Sequence, residues 1–339
     1  MEACAVHGDL CWARLGSGVP GNLRSSIRKV SKYSGAKDEI YPTLGPLIDG
    51  VTGTYFDPFL GSGSIFLLLV RDGHLDGHAV LSDANPDVMD LHRNVRDRVG
   101  DLIERMVLLQ KSYNEAASDE AREGLYYAVR SRFNLSKDLA GRASPERTAE
   151  FIFLLRAGYN GVVRYNAKRE YNIAWAKRHQ IEFFTSATPR DTFLATSLAL
   201  QDAGVEIAVA DFEESLRAVK EGDFVYLDPP YFNTMSATPG HYTPKGFPVE
   251  DQLRLKRVCD DLTARGIPFV EDNNDDPFIH DLYKGYDVHL TTATEKVTQD
   301  PTQRGKRTEV IVTNFTRLGE PPPPTPAQVT LEDYVETGP

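Results

Sequence analysis

In the stretch DFVYLDPPYFNTMS, residues 223–236, an apolar run meets an acid, two prolines and an aromatic. Proline has no N–H to donate and restricts the residue before it, so a strand over Phe224 to Leu227 must stop there and expose the residues after it. Asp228 and Tyr231 therefore stand on a stiff ledge built by Pro229 and Pro230. The exocyclic amine of a nucleobase has its lone pair delocalised into the ring, and it needs acceptors for both N–H groups before it attacks a methyl carbon. Asp228 supplies acceptor oxygens, the restricted backbone aims carbonyls outward, and Tyr231 offers a flat face to stack a base. A plain tight turn carrying a surface tyrosine is the alternative reading of the same residues.

Two further loops bear on this chemistry. In FDPFLGSGSIF, residues 56–66, Gly61 and Gly63 follow a strand-like run and precede a helical one. Glycines there permit a tight turn and bring backbone N–H groups close to a ligand, although turns of this kind also use glycine for packing alone. The GK[ST] ending of a phosphate loop is missing and Asp57 would repel a phosphate; an acid ahead of the glycines suits a ligand with a cationic end. In VLSDANPDV, residues 80–88, Asp83 ends the next strand about 20 residues after the glycine turn, where a carboxylate can accept from both hydroxyls of a ribose. It could equally cap the next helix. Together the two loops describe an adenosine-binding site without a phosphate cradle.

The elements that must hold these loops alternate in type. GTYFDPF, HAVLSDAN, DFVYLDPP, IPFVEDNN and TEVIVTNF carry strand-like apolar runs. Helical patterns lie between them over residues 86–99, 119–132 and 249–265; the first opens with Asn85 as a cap and Pro86 in the first helical position. Strands alternating with helices predict an α/β fold with a mostly parallel, doubly wound sheet, whose ligands bind outside the carboxyl ends of the strands.

The 339 residues are 41% hydrophobic and 26% charged, which fits one large α/β domain or two smaller ones. The apolar run SIFLLLV, residues 64–70, is far short of a membrane span and reads as an apolar helix face. The first residues lack the basic start and continuous apolar centre of a secretory leader. Cys4, Cys11 and Cys259 cannot all pair and have no CxxC spacing, which fits a reducing cytoplasm and argues against structural zinc. The net charge of −11 hides a basic island: residues 121–180 hold twelve Lys and Arg against five Asp and Glu, an excess of +7. Such an island is the footprint of a polyanion contact, or else a solvated face. Residues 1–27 read as a loose arm. The segment 318–339 is too rich in proline to pack and reads as a disordered, polyproline-like tail.

The blocks, taken in order, resemble the Dam-like (D12 class) family of site-specific DNA adenine-N6 methyltransferases, over about residues 30–315. KYSGAK resembles its opening K-W-x-G-G-K, with Lys32 and Lys37 kept, Tyr33 for Trp and Ala36 for Gly. FDPFLGSG is similar to F-x-P-F-x-G-[SG]-G, and GYNGVVRYNAKREYNIAWAK, residues 158–177, resembles its recognition hairpin. DFEE, GDFVYLDPPY, GFPVEDQLRL and RGKRTEVIVTN match the remaining blocks in order.

The resemblance implies a Rossmann-like methyltransferase sheet formed by residues 28–95 and 186–317, with an inserted, mainly helical target-recognition domain over 96–185 bearing the hairpin. It implies S-adenosyl-L-methionine as cofactor, double-stranded DNA as partner, transfer to N6 of a flipped adenine in a GATC-like target, and no metal. Asp228, Pro229, Pro230 and Tyr231 match the catalytic motif. Tyr33, Lys37, Asp57, Pro58, Gly61, Gly63, Asp83, Asp211 and Phe212, with Asp228, match the cofactor site, and Lys37 matches the lysine near the methionine carboxylate. Lys32, Tyr159, Asn160, Arg164, Asn166 and Lys168 match DNA-contacting positions; Arg164 is either a bidentate guanine reader or a structural ion pair. A monomer, with or without a cognate restriction endonuclease, is expected. Departures are Ala174 where the hairpin usually has Pro, Val162 for Leu, and EDNND, residues 271–275, in place of an SNSD-like loop. The competing readings are methylation of cytosine N4 or RNA adenine, and a DNA-binding module without catalysis.

Overall fold

The computed structural model describes residues 19–31, 37–48, 51, 53–75, 78–139, 141–186, 188–201, 204–232, 247–294 and 306–315. Lys32, Tyr33, the arm up to residue 18 and the proline-rich tail lie outside them. The described end of the arm is packed: a helical turn α1 (Gly21–Arg24) leads to Ile27, which is fully buried in the main core.

The chain runs through α2 (Tyr41–Ile48), β1 (Tyr55–Asp57), α3 (Ser64–Asp72), β2 (Ala79–Asp83) and α4 (Pro86–Asp97). It then forms α5 (Val99–Asn114), α6 (Asp119–Leu135), α7 (Pro145–Ala157) and α8 (Arg190–Leu200) before rejoining the sheet as β3 (Val205–Val209). After α9 (Phe212–Ser215) come β4 (Phe224–Leu227), α10 (Val249–Ala264), β5 (Phe269–Asn274), α11 (Pro277–Leu282), β6 (Asp287–Thr294) and β7 (Lys306–Thr313). The sheet order is β3-β2-β1-β4-β5-β7-β6; β1 to β5 are parallel, and β7 pairs antiparallel with both β5 and β6. From β1 the chain moves outward through β2 to β3, then returns to β4 on the other side of β1. The loops after β1 and β4 diverge, which opens the ligand crevice that doubly wound sheets place at this switch point.

Alternate residues of the central strands feed two cores. Tyr55, Phe224 and Tyr226 join one hydrophobic cluster, while Phe56, Val225 and Leu227 join the other with α10 and α11. Both faces are covered, which is why these strands read as continuous apolar runs. Helix α3 is apolar for the same reason: residues 64–70 are all buried, so the run is an entire core helix and not a single face. The first cluster extends without a break from α3 and α8 into Ile103 of α5, Phe133 of α6 and Phe153 of α7, so the helices between β2 and β3 share the core of the sheet.

Side-chain caps set the starts of α4 and α7. Asn85 Oδ1 accepts from Asp87 N at 3.0 Å with Pro86 at the first position, and Ser144 Oγ accepts from Arg147 N at 3.2 Å behind Pro145. The strand β4 stops at Leu227, directly before Asp228.

Candidate active site and nucleic-acid interface

The ledge is built from three distant parts of the chain. Lys37 Nζ lies 3.1 Å from Asp228 Oδ1 and donates to both Asp272 Oδ2 and Tyr231 Oη; it also sits 4.2 Å from the centre of the Tyr231 ring. Tyr231 Oη is in turn 3.2 Å from Asp272 Oδ2. Lys37 and Asp272 are buried, while Asp228 and Tyr231 remain partly open to the crevice. Burial lowers the affinity of Lys37 for its proton, but Asp228, Asp272 and Glu309 outweigh it and keep the ammonium charged. Burial pushes Asp272 up to about 7 against the pull of Lys37, with Asp228 and Glu309 adding to the push.

Lys37, the residue expected beside a methionine carboxylate, pairs with Asp228. One sequence expectation is revised. The EDNND stretch is not a loop through Asn274: Glu271 to Asn274 continue β5, paired with β7, and Glu271, Asp272 and Asn273 are completely buried. β7 lies antiparallel beside this end, so the ladder continues past the point where the parallel strands stop.

Side chains not singled out in the sequence hold the prolines in place. Gln252 Nε2 of α10 donates to the Pro230 carbonyl at 3.2 Å, Phe232 N donates to Asn273 Oδ1 at 3.4 Å, and the Phe232 ring stacks on Phe278 at 4.2 Å. Gln252 lay in the matched block GFPVEDQLRL and Asn273 in the stretch that departs from the family pattern, but neither was picked out as a residue.

The glycine loop is held just as closely. Gly61 and Gly63 have φ of 48° and 67°, the left-handed region that glycine alone enters without penalty. Gly61 N donates to Asp83 Oδ2 at 3.0 Å and Asn85 N donates to Asp83 Oδ1 at 2.7 Å, so Asp83 ties the two loops together. His92 Nε2 lies 2.9 Å from the Gly61 carbonyl, and burial lowers its proton affinity, so the ring is neutral. Lys37 N donates to Ser64 Oγ at 3.1 Å, joining the ledge to the start of α3.

Asp57 is buried behind Pro58 and accepts from Phe59 N at 3.3 Å. Burial first, then Asp228, push Asp57 well above the usual carboxylate range; burial carries Asp83 to about 6 against the hydrogen bonds from Asn85 and Gly61. A positive group brought beside Asp57 and Asp83 would draw these two acids back to their charged forms. At the far end, Phe212 packs with Phe59 and Phe247 at 5.4 and 6.0 Å, Arg254 covers its ring at 4.7 Å, and Asp211 accepts from Arg254 at 2.9 Å. The donor set therefore suits a cationic nucleoside: acids for its charge and ribose, an aromatic cluster beside its base, and no phosphate cradle.

The hairpin residues behave unevenly. Antiparallel bridges join Gly158 to Trp175 and Tyr165 to Tyr171, and Tyr159 N donates to the Ala174 carbonyl at 3.0 Å. The non-glycine residues with positive φ among those described, Asn160, Arg169 and Lys177, all fall in or beside this hairpin. Tyr159 and Lys168 are exposed. Arg164 Nε donates to Asn172 Oδ1 at 2.8 Å, and among the described residues it has no acid partner. Asn166 closes the turn: it accepts from the backbone of Lys168 and Glu170 and donates to Glu170.

The basic island is smaller than its sequence count. Arg142 and Arg147 both bind Asp87 Oδ1, at 2.6 and 2.7 Å, where Tyr165 Oη donates to Asp87 Oδ2 at 2.7 Å. Arg132 pairs with Glu150, Arg122 with Asp119, and Lys137 and Arg169 with Asp138. Six of the twelve cations are thus paired with acids, and three of these, Arg122, Arg142 and Arg147, meet acids outside residues 121–180.

The chain belongs to the D12 class N6 adenine-specific DNA methyltransferase family, whose model matches residues 33–298. It is 29% identical over 296 residues to the Type II methyltransferase M1.LlaDCHI of Lactococcus lactis subsp. cremoris, covering 86% of this chain and 96% of that one. It is 29% identical over 279 residues to the Type II methyltransferase M.MjaIII of Methanocaldococcus jannaschii, covering 80% and 93%. To the DNA adenine methylase of Escherichia coli K12 it is 26% identical over 257 residues, covering 75% and 84%. The protein is thus a DNA adenine methyltransferase by family. Among the described residues, no helix is long and apolar enough to cross a membrane.

Proposed function

We propose that this protein methylates N6 of an adenine flipped out of duplex DNA, at a specific and GATC-like sequence, with S-adenosyl-L-methionine as donor. The observation that carries the reading is the convergence of a half-open carboxylate, Asp228, and a half-open aromatic ring, Tyr231, at the switch point beside the Asp83-tied glycine loop. When bound, the cofactor supplies a sulfonium-activated methyl carbon, whose bonding pair returns to sulfur as the amine lone pair forms the N–C bond. Asp83 and Asp57 hold its ribose and positive end, the glycine loop fits close against it, and Asp211 with Phe212 flank its adenine. Asp228 and the Pro229 carbonyl accept from the target amine, and Tyr231 stacks its ring. Flipping costs a few kcal/mol, offset by these contacts. Asp228 orients the lone pair and then passes the shed proton to solvent.

In this reading residues 28–95 and 186–317 form the catalytic domain and 96–185 the recognition domain. Its exposed cations meet phosphates, and Tyr159, Asn160 and Arg164 meet bases. Asn166 contributes by shaping the turn that carries Lys168. The protein acts as a monomer, with or without a cognate restriction endonuclease. The decisive variant is Asp228→Ala, assayed by transfer of labelled methyl to unmethylated duplex DNA. Transfer falls at least about a hundredfold while DNA binding persists; normal turnover would refute the assignment.

A further inference from the structure

Strand β5 carries a fully buried carboxylate, Asp272, into the ledge. Its Oδ2 accepts from Lys37 Nζ and, at 3.2 Å, from Tyr231 Oη. An ammonium has three donors and no acceptor. Here the three partners of Lys37 are Asp228 Oδ1, Asp272 Oδ2 and the Tyr231 hydroxyl, and the hydroxyl proton is directed back to Asp272. We propose that Asp272 is a positioning residue for methyl transfer, holding Lys37 and the Tyr231 hydroxyl so that Asp228 keeps lone pairs for the target amine and the Tyr231 ring keeps its stacking plane. The proposal rests on the reading of Asp228 and Tyr231 as the groups that meet the base.

The physical reason is competition for acceptors. A carboxylate offers about four lone-pair sites, and Lys37 occupies one on Asp228. Without Asp272, one N–H of the buried ammonium loses its acceptor where an unmade hydrogen bond is costly. Asp228 lies within reach of the ammonium and would take that N–H, leaving the amine to compete with a cation. Charge acts in the same direction. Whenever Asp272 is ionised, it and Asp228 share one ammonium and the ledge is net negative, which favours the positive charge that grows on the amine nitrogen as it attacks. With Asp272 removed, the cation would cancel Asp228 alone.

Single-turnover transfer from tritiated-methyl S-adenosylmethionine to unmethylated duplex DNA tests this, with dissociation constants for cofactor and DNA measured separately. Asp272→Ala in the full chain slows transfer about a hundredfold, the scale of a displaced reacting group. Asp272→Asn slows it only about tenfold, because its amide oxygen still accepts from Lys37 and Tyr231. Both dissociation constants stay within about threefold. In a Tyr231→Phe background, Asp272→Ala costs less than it does alone, since part of its action runs through the hydroxyl. Transfer by Asp272→Ala within about threefold of the unmodified rate overturns the proposal, as does a slowdown abolished by saturating cofactor. If Asp272→Ala does not fold, Asp272→Asn decides: a normal rate overturns the proposal, a slow rate with intact binding supports it. Asp228→Ala separates the layers. Its inactivity beside a fully active Asp272 variant removes only the role of Asp272, whereas its full activity removes the ledge reading and the proposal together.

Discussion

Glu271 shows how burial governs a single carboxyl beside the ledge. Its Oε1 accepts from Asn273 Nδ2 at 2.8 Å, its Oε2 has no partner among the described residues, and burial pushes it up to about 8. The folded state therefore binds its proton more tightly than the unfolded chain does. Its contribution to stability is fully present below about 4.5 and is lost as pH rises to about 8. Glu271→Gln, which cannot ionise, should raise the unfolding midpoint more at pH 9 than at pH 5, by about 1–3 kcal/mol in stability at the higher pH. Thermal denaturation at the two pH values checks this, and equal shifts would contradict it. The residues of the ledge differed sharply in how legible they were. Asp228, Pro229, Pro230 and Tyr231 are adjacent in sequence, and proline chemistry alone forces the strand to end before them. The partner of Lys37 was hidden because Asp272 is 235 residues away, and no local rule reports a contact at that separation.

At the scale of elements, the strands with continuous apolar runs were readable and the edge strands were not. β1, β2, β4, β5 and β7 coincide with the apolar runs read from sequence, whereas β3 and β6 were missed. β3 mixes one buried residue with partly and fully exposed ones, and β6, DVHLTTAT, is largely polar, as suits the two edges of the sheet. The start of α4 was legible through its cap, Asn85 ahead of Pro86. The joint between hairpin and sheet was not, because Tyr165, Asp87, Arg142 and Arg147 come from separate elements. That joint has a direct consequence. Tyr165→Phe removes a hydrogen bond to a buried carboxylate and should cost about 1.5–3 kcal/mol in stability. It should also weaken DNA binding more than cofactor binding, because the hairpin is what it anchors; denaturant unfolding and two binding titrations test both parts. Loss of cofactor affinity alone would contradict the placement.

For the whole molecule, charge sum and charge distribution point in opposite directions, and the structure changes the balance. A chain of net charge −11 must bind a polyanion through a local patch, yet half of the island's cations are paired internally. With six cations left, Arg130, Arg156, Arg164, Lys168, Lys177 and Arg178, the slope of log affinity against log salt should be no steeper than about −5. Fluorescence anisotropy over a salt series measures it, and a slope near −10 would require contacts from elsewhere on the chain. The mostly parallel sheet was legible as a class from strand and helix alternation, while the strand order and the antiparallel β7 and β6 edge were not, because pairing leaves no trace in composition.

The central claim is that the switch-point ledge transfers a methyl group to adenine N6 in duplex DNA. Its most direct test is incubation of the full chain with labelled S-adenosylmethionine and unmethylated duplex DNA, followed by base-resolved mapping of the label. N6-methyladenine confined to one short sequence motif is the predicted result. Label on cytosine, label only on RNA supplied in parallel, or no transfer by a correctly folded protein would contradict the account.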